Sequence, residues 1–242
     1  MSRLKRWLRL PRVPEPEVMD DRCEVEAYSS ATAQAYLEKI DDTFVEHSLR
    51  LLRGRTSRAE CGRALDIGCG PGQIVLKLAQ RLPGWRFAGV DRSPNMVRQA
   101  LAARDDAAQR TGSDLALRVQ YFVADGSNLP FADAGMDLIL CNSVLHHLHQ
   151  PAKLFAEMAR VAAPSGIILL RDLRRPSRLA YPLHVRWHGR HYSGLMYKLY
   201  CDSVRAAYTP EELAGLLRPS PLRDARIFTF GRTHLGFEHR TG

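Results

Sequence analysis

The sequence is short of acidic residues: 26 Asp and Glu stand against 35 Lys and Arg, a formal net charge of +9. Such an excess attracts polyanions in general. The cations are overwhelmingly Arg and are scattered, apart from the first twelve residues and the stretch from Arg171 to Arg190. Charge alone therefore names no substrate. Long apolar runs are also missing. The longest, around Ile167–Leu170, falls far short of the roughly 20 residues that cross a bilayer, so no integral membrane association is expected. The opening MSRLKRWLRLPR is basic and amphipathic but lacks the continuous apolar core of a signal peptide. Cysteines (Cys23, Cys61, Cys69, Cys141, Cys201) are few, odd in number and never in CxxC or Cys/His ligand spacing. A disulfide framework and a structural metal are thus unexpected, and the usage fits a cytoplasmic protein. Internal repeats and low-complexity tracts are absent, as is the G-x-x-x-x-G-K-[ST] loop that cradles ATP phosphates.

What is present divides into three parts. Residues 1–12 form the basic amphipathic tail. Residues 13–60 read as an N-terminal helical lid, with Tyr36, Ile40, Phe44, Leu49 and Leu52 at helical spacings and a break expected near Asp41–Asp42. From residue 61 onward, short apolar runs alternate with helical patterns. Strands are expected at 63–66, 86–90, 117–123, 137–141 and 166–172, and helices at 73–81, 94–108 and 151–161. Ser93–Pro94 opens the second of these helices with a cap and a first-turn proline. This alternation predicts an α/β fold, a parallel sheet with helices on both faces. It lapses over 173–208, an Arg-, His- and Tyr-rich segment read as a substrate-side helical insertion. Thr209–Pro210–Glu211–Glu212 restarts a helix, and residues 225–230 and 234–239 form an antiparallel pair across Gly231–Arg232.

The most informative stretch is Ala64–Leu65–Asp66–Ile67–Gly68–Cys69–Gly70–Pro71–Gly72, between the first strand and a helix. Three glycines in five residues permit a sharp turn and leave the backbone bare for a ligand. Their G-x-G-x-G spacing departs from the G-x-G-x-x-G of dinucleotide loops. The carboxylate of Asp66 would repel a pyrophosphate but suits the ammonium of an amino-acid ligand. Asp91, at the end of the second strand, stands where a carboxylate accepts ribose hydroxyls. Asp125 and Gly126, after the third strand, can pair with an adenine amine and a ring acceptor, and Met96 can lie against the base.

The series ALDIGCGPG, GVDRSPNM, ADGSNLPF and LILCNSVLHHL resembles the class I S-adenosylmethionine-dependent methyltransferases, in particular their small-molecule branch. The resemblance is detailed over residues 63–172 and looser over 210–240. It implies a Rossmann-like seven-stranded sheet ordered 3-2-1-4-5-7-6 with strand 7 antiparallel. It implies S-adenosyl-L-methionine as donor, with Gly68, Gly70 and Gly72 around its methionine part, Asp91 on the ribose, Asp125 and Gly126 at adenine, and Asn142 bordering the methionine end. Tyr28 would close over the donor.

For the chemistry, His146 and His147 are the candidate proton acceptors, expected to point apart so that one serves. Asp172 would orient an acceptor amine or an arginine. Tyr36, Arg171, His188, His191 and Tyr192 are candidate acceptor contacts, and the surplus of arginine suggests an anionic acceptor. The NPPY-type motif of adenine and glutamine N-methylation is absent. Methyl transfer to an O, N or S atom of a small molecule is the leading reading. RNA methylation and a non-enzymatic cofactor-sensing role are the alternatives, and monomer and homodimer both stay open.

Overall fold

The computed structural model describes residues 7–15, 31–53 and 60–242, with side chains of residues 31–36 left out. Seven strands form one sheet: β1 (Gly62–Ile67), β2 (Trp85–Asp91), β3 (Val119–Val123), β4 (Met136–Asn142), β5 (Ala162–Leu173), β6 (Arg226–Phe230) and β7 (His234–Arg240). Their order is β3-β2-β1-β4-β5-β7-β6. The first five strands run parallel, and β7 is antiparallel to both β5 and β6. Period-two alternation explains why the middle stretches of β4 and β5 are apolar on both faces. Leu138, Leu140, Ile167 and Leu169 face one helical layer, whereas Ile139, Cys141, Ile168 and Leu170 face the other. A sheet covered on both faces leaves few positions for polar side chains.

Among the described residues, eight helices surround the sheet: α1 (Ala31–Arg53), α2 (Gln73–Arg81), α3 (Pro94–Thr111), α4 (Leu115–Arg118), α5 (Pro151–Val161), α6 (Tyr181–His188), α7 (Gly194–Ala206) and α8 (Pro210–Leu217). Local signals start two of them. The Ser93 hydroxyl accepts the Met96 amide at α3, and Thr209 and Glu212 form a reciprocal capping box at α8.

Three expectations need correction. α1 runs unbroken through Asp41–Asp42, because Asp42 pairs with Lys77 on α2 at 2.5 Å and the Thr43 hydroxyl and the Arg171 guanidinium both donate to the Ile40 carbonyl. The third strand starts at Val119 rather than at residue 117. Leu115 is buried in the one-turn α4, and Arg118 on that turn donates to the carbonyls of Ala79, Leu82 and Trp85. β5 begins four residues early, at Ala162, and is irregular until Ile167, with Ser165 at φ 60°.

Candidate active site

The carboxyl ends of β1, β2 and β4 open onto a cleft of about 850 Å3, its mouth included, lined by Gly68, Gly70, Asp91, Met96, Asp125, Gly126 and Asn142 among others. Crevices at this end of an open α/β sheet are where such folds bind ligands. The glycine turn that shapes it has left-handed backbone at Gly68, Gly70 and Gly72, with φ of 70°, 51° and 84°. A Cβ at Gly68 would lie 2.2 Å from Val144, and one at Gly72 would lie 2.4 Å from the Tyr121 hydroxyl. One at Gly70 would meet nothing within 4 Å. Two of these glycines are therefore required by packing. Gly70 keeps the cleft itself bare.

Carboxylates furnish the walls. Asp91 accepts the Gly70 amide and the Ser93 amide, each at 2.9 Å, so it ties the turn to the start of α3. A carboxylate oxygen can accept more than one donor. Asp125 accepts the Ser127 amide at 2.8 Å and lies 3.7 Å from Arg92. Burial would raise its carboxyl, but Ser127 and Arg92 outweigh that and hold it below its ordinary value. Asp66 lies beneath the turn, 3% exposed, and both of its oxygens lack a hydrogen-bond partner among the described residues. Burial first, then the neighbouring Asp41 and Asp91, push it well above the usual carboxylate range. An isolated buried carboxylate is costly unless a cationic group compensates it. The acceptors lining the cleft thus fit hydroxyls at Asp91 and a heterocyclic amine at Asp125, and the unpartnered Asp66, beneath the turn and outside the lining, suits a positive charge above it, which matches the chemistry of S-adenosylmethionine.

A second cavity, of about 840 Å3, adjoins the first and shares Asn142, Ser143 and His147 with it. Its walls include Leu37, Ile40, Leu173, Met196 and Leu199, with Tyr192 and Tyr200. His188 and His234 also reach it. Burial first, then the nearby Arg171, lowers His234 to about 3, which keeps that imidazole neutral. Among the described residues, no Lys or Arg lines the cavity. Asp41 does, and burial raises it to about 6 against the opposing pull of Arg171.

At the junction of the cavities the chain leaves β4 through Ser143, a non-glycine residue at φ 60°, into a 3-10 turn at Leu145–His147. Such backbone is uncommon and concentrates where function demands it. The buried His146 meets Asp172 twice: its backbone amide donates to one carboxylate oxygen at 2.9 Å, and Nδ1 contacts the other at 2.5 Å. Burial would lower His146, yet Asp172 and then Glu15 reverse this and raise it above its ordinary 6.5. In the same pair, burial would raise Asp172, but His146 and the Leu173 and His146 amides hold it down. Glu15 completes the group. Its carboxylate is 3.3 Å from His146 Nε2 and 3.0 Å from His147 Nδ1, and the Ser203 hydroxyl donates to it. Burial is the main cause of its raised pKa.

Glu15 is held there by the strap formed by residues 8–15. Arg12 donates to the carbonyls of Ala206 and His146 and stacks 4.2 Å from the Tyr208 ring, while the Val13 amide donates to Arg205.

Several expected residues sit elsewhere than the sequence suggested. The two histidines do not diverge: the 3-10 turn sets their ring centroids 4.2 Å apart, both facing Glu15. Asp172 orients His146 rather than an acceptor or an arginine. Arg171 lines neither cavity. It donates to Asn142, Thr43 and the Ile40 carbonyl and stacks on Phe44, fastening α1 to the sheet. His191 is exposed and lines neither cavity, whereas His188 and Tyr192 line the second. Tyr28 lies outside the described residues, as does the side chain of Tyr36. Glu15, Asp41, Met196 and His234 were missed. No local motif marks them, and only the fold brings them to the site.

Sheet order, the antiparallel seventh strand and the cleft at the glycine turn together define a Rossmann-like fold of the methyltransferase type. Comparison with known proteins agrees. A family model described as a methyltransferase domain matches residues 65–170. The demethylmenaquinone methyltransferase of Roseiflexus castenholzii is 32% identical over 68% of this chain and 69% of its own length. The malonyl-[acyl-carrier protein] O-methyltransferase of Hahella chejuensis is 33% identical over 55% of this chain, and the match spans 44% of that enzyme's length. Among solved structures, the plantazolicin methyltransferase BamL, in complex with a triazolic desmethylPZN analogue and SAH, superposes with a TM-score of 0.67 at 15% identity, covering 90% of this chain and 94% of that one. The chain belongs to the class I S-adenosylmethionine-dependent methyltransferase family.

Proposed function

We propose that this chain transfers the methyl group of S-adenosylmethionine to an O, N or S atom of a small, largely apolar acceptor held in the second cavity. The observation that carries this reading is the shared wall: Asn142, Ser143 and His147 border both cavities, so a donor in one lies against an acceptor in the other. In the first cavity, Asp91 would hold the ribose and Asp125 with Gly126 the adenine, while Met96 would pack on the base; Asp66, beneath the glycine turn and outside the cavity's lining, would favour the ammonium from below. The donor supplies a methyl carbon already activated by its sulfonium. What is left to the protein is alignment, exclusion of water and, for a protonated acceptor, removal of a proton.

His146 is suited to that last task. With Nδ1 bound to Asp172, its tautomer leaves Nε2 toward the cavity and Glu15. As the acceptor atom forms its bond to the methyl carbon, its proton passes to Nε2, and the imidazolium so formed is flanked by Asp172 and Glu15. The apolar walls, with Tyr192 and Tyr200, favour a planar or aliphatic acceptor. Because no Lys or Arg among the described residues lines that cavity, the arginine surplus gives no support to an anionic reacting group.

Two measurements test the proposal. Calorimetry with S-adenosylmethionine, S-adenosylhomocysteine, NAD and ATP should show a preference for the first two, and a preference for NAD would overturn the donor assignment. Incubation of methyl-labelled donor with fractionated apolar metabolites and with RNA should label a small molecule. Label confined to RNA would defeat the acceptor assignment.

A further inference from the structure

The insertion after β5 carries a surface that the methyl-transfer site does not use. α6 has two working faces. One is turned inward, with His184 and Val185 buried and His188 on the wall of the second cavity. Leu179, Leu183 and Trp187 recur every fourth residue on the other side, and they are 62%, 72% and 66% exposed. The helical hydrogen bonding already begins in the preceding turn, where the Tyr181 amide donates to Ser177 and the His184 amide to Ala180, so the three form one continuous stripe. The Arg178 amide donates to the Leu8 carbonyl, which brings the 54%-exposed Trp7 beside the Leu179 end. A stripe of large apolar side chains on a helix already packed by its opposite face calls for a partner.

The charges carried by the two segments that form the stripe are of one sign. Arg178, Arg186 and Arg190 are exposed along it, and Arg190 stacks on Trp187 at 4.6 Å. Residues 173–201 contain no Asp or Glu, and neither do residues 1–12. Tryptophan at each end, leucine between and arginine at the rim is the composition of a helix that lies in a membrane interface. We infer that Trp7, Leu179, Leu183 and Trp187, with their surrounding arginines, dock the protein onto the surface of an anionic lipid bilayer. Charge complementarity selects the anionic headgroup, and the apolar stripe enters the acyl boundary without requiring any fixed register on the partner. The same helix walls the second cavity, so an apolar acceptor dissolved in the bilayer has only a short distance to travel. The docking surface stands whichever acceptor that cavity takes.

Sedimentation of the full chain with vesicles tests this. Vesicles of phosphatidylcholine alone are compared with vesicles containing about one third phosphatidylglycerol. The wild-type chain should sediment with the anionic vesicles and be released by salt. The pair Leu183→Ser with Trp187→Ser should lower the partition coefficient by about tenfold or more. Arg178→Glu with Arg186→Glu should lower it similarly, and each variant should keep its wild-type Tm and S-adenosylhomocysteine affinity. The inference is overturned if wild-type protein stays in the supernatant, or if the variants bind as well as wild type. It is equally overturned if light scattering shows a wild-type dimer that the apolar variant splits, with no vesicle binding by either: the stripe would then serve a second copy of this chain. Loss of S-adenosylhomocysteine binding by wild type would instead bear on the proposed donor and leave the vesicle result to stand alone.

Discussion

Asp172→Asn removes the charge that orients His146 while leaving a side chain of nearly the same size. In the native arrangement the two carboxylate oxygens take the His146 amide at 2.9 Å and Nδ1 at 2.5 Å. An amide has only one acceptor oxygen. If that oxygen serves the backbone, its NH2 faces Nδ1, which forces the proton onto Nε2 and removes the lone pair that faces the cavity. Loss of a correctly poised base is expected to lower kcat by about 10²- to 10⁴-fold. Asp172 is also the largest influence raising His146, so the acid limb of the rate profile should move to lower pH.

Stability should fall as well. Breaking a buried ion pair costs about 3–5 kcal/mol, and a chain of this size loses about 2–4 °C of Tm per kcal/mol, so a drop of about 6–20 °C is expected. The lower end applies because His146 can shed its proton. The pair's contribution has a definite window. Asp172, lowered in the fold, contributes above its ordinary 3.8 and is lost as pH falls through the folded value; His146, raised, contributes below 6.5 and is lost as pH rises through its own. The assay is single-turnover label transfer, with S-adenosylhomocysteine calorimetry as the control for an intact donor site. A folded variant with kcat within about threefold of wild type would refute the assignment of His146 as base.

Three further substitutions probe the donor cleft. Asp66→Asn should raise the Tm of the ligand-free protein at pH 8 and weaken donor binding, since the buried Asp66 costs stability that grows as pH climbs from its ordinary 3.8 toward its raised folded value and stays lost above it; a lower Tm in differential scanning calorimetry would contradict its being an uncompensated charge. Gly70→Ala should cost only about 1–2 kcal/mol for its left-handed backbone yet abolish measurable donor binding, whereas Gly72→Ala should destabilise more because its Cβ meets the Tyr121 hydroxyl; comparing the Tm and calorimetric Kd of the two variants separates these effects. Asp91→Ala should raise the donor Kd by about one to three decades, read by calorimetry, because charge-assisted bonds to both ribose and the Gly70 amide disappear.

Much of the fold was legible because its signals are local. A strand covered on both sides is apolar residue by residue through its middle, as in Leu138–Cys141. A turn that needs left-handed backbone writes itself as glycine, as at 68, 70 and 72. The strand order came from resemblance, since crossover connections of similar length suit several orders. The donor carboxylates follow strand ends and could be picked out one by one. The acceptor side could not. Arg171 and Asp172 are neighbours whose side chains alternate across β5, and the sequence does not say which face carries the cavity; Arg171 proved to clamp α1 and Asp172 to orient His146.

What the sequence determined by itself, then, is most of the elements and the glycine turn and carboxylates that the first cleft gathers, because each rests on the spacing of residues within one strand, turn or helix. The meeting of Glu15, His146 and Asp172 was decided only by the tertiary structure. These residues come from a strap, a 3-10 turn and a strand end, up to 157 positions apart. Their charges acquire meaning from mutual distance and shared burial, and neither quantity exists until the chain has folded.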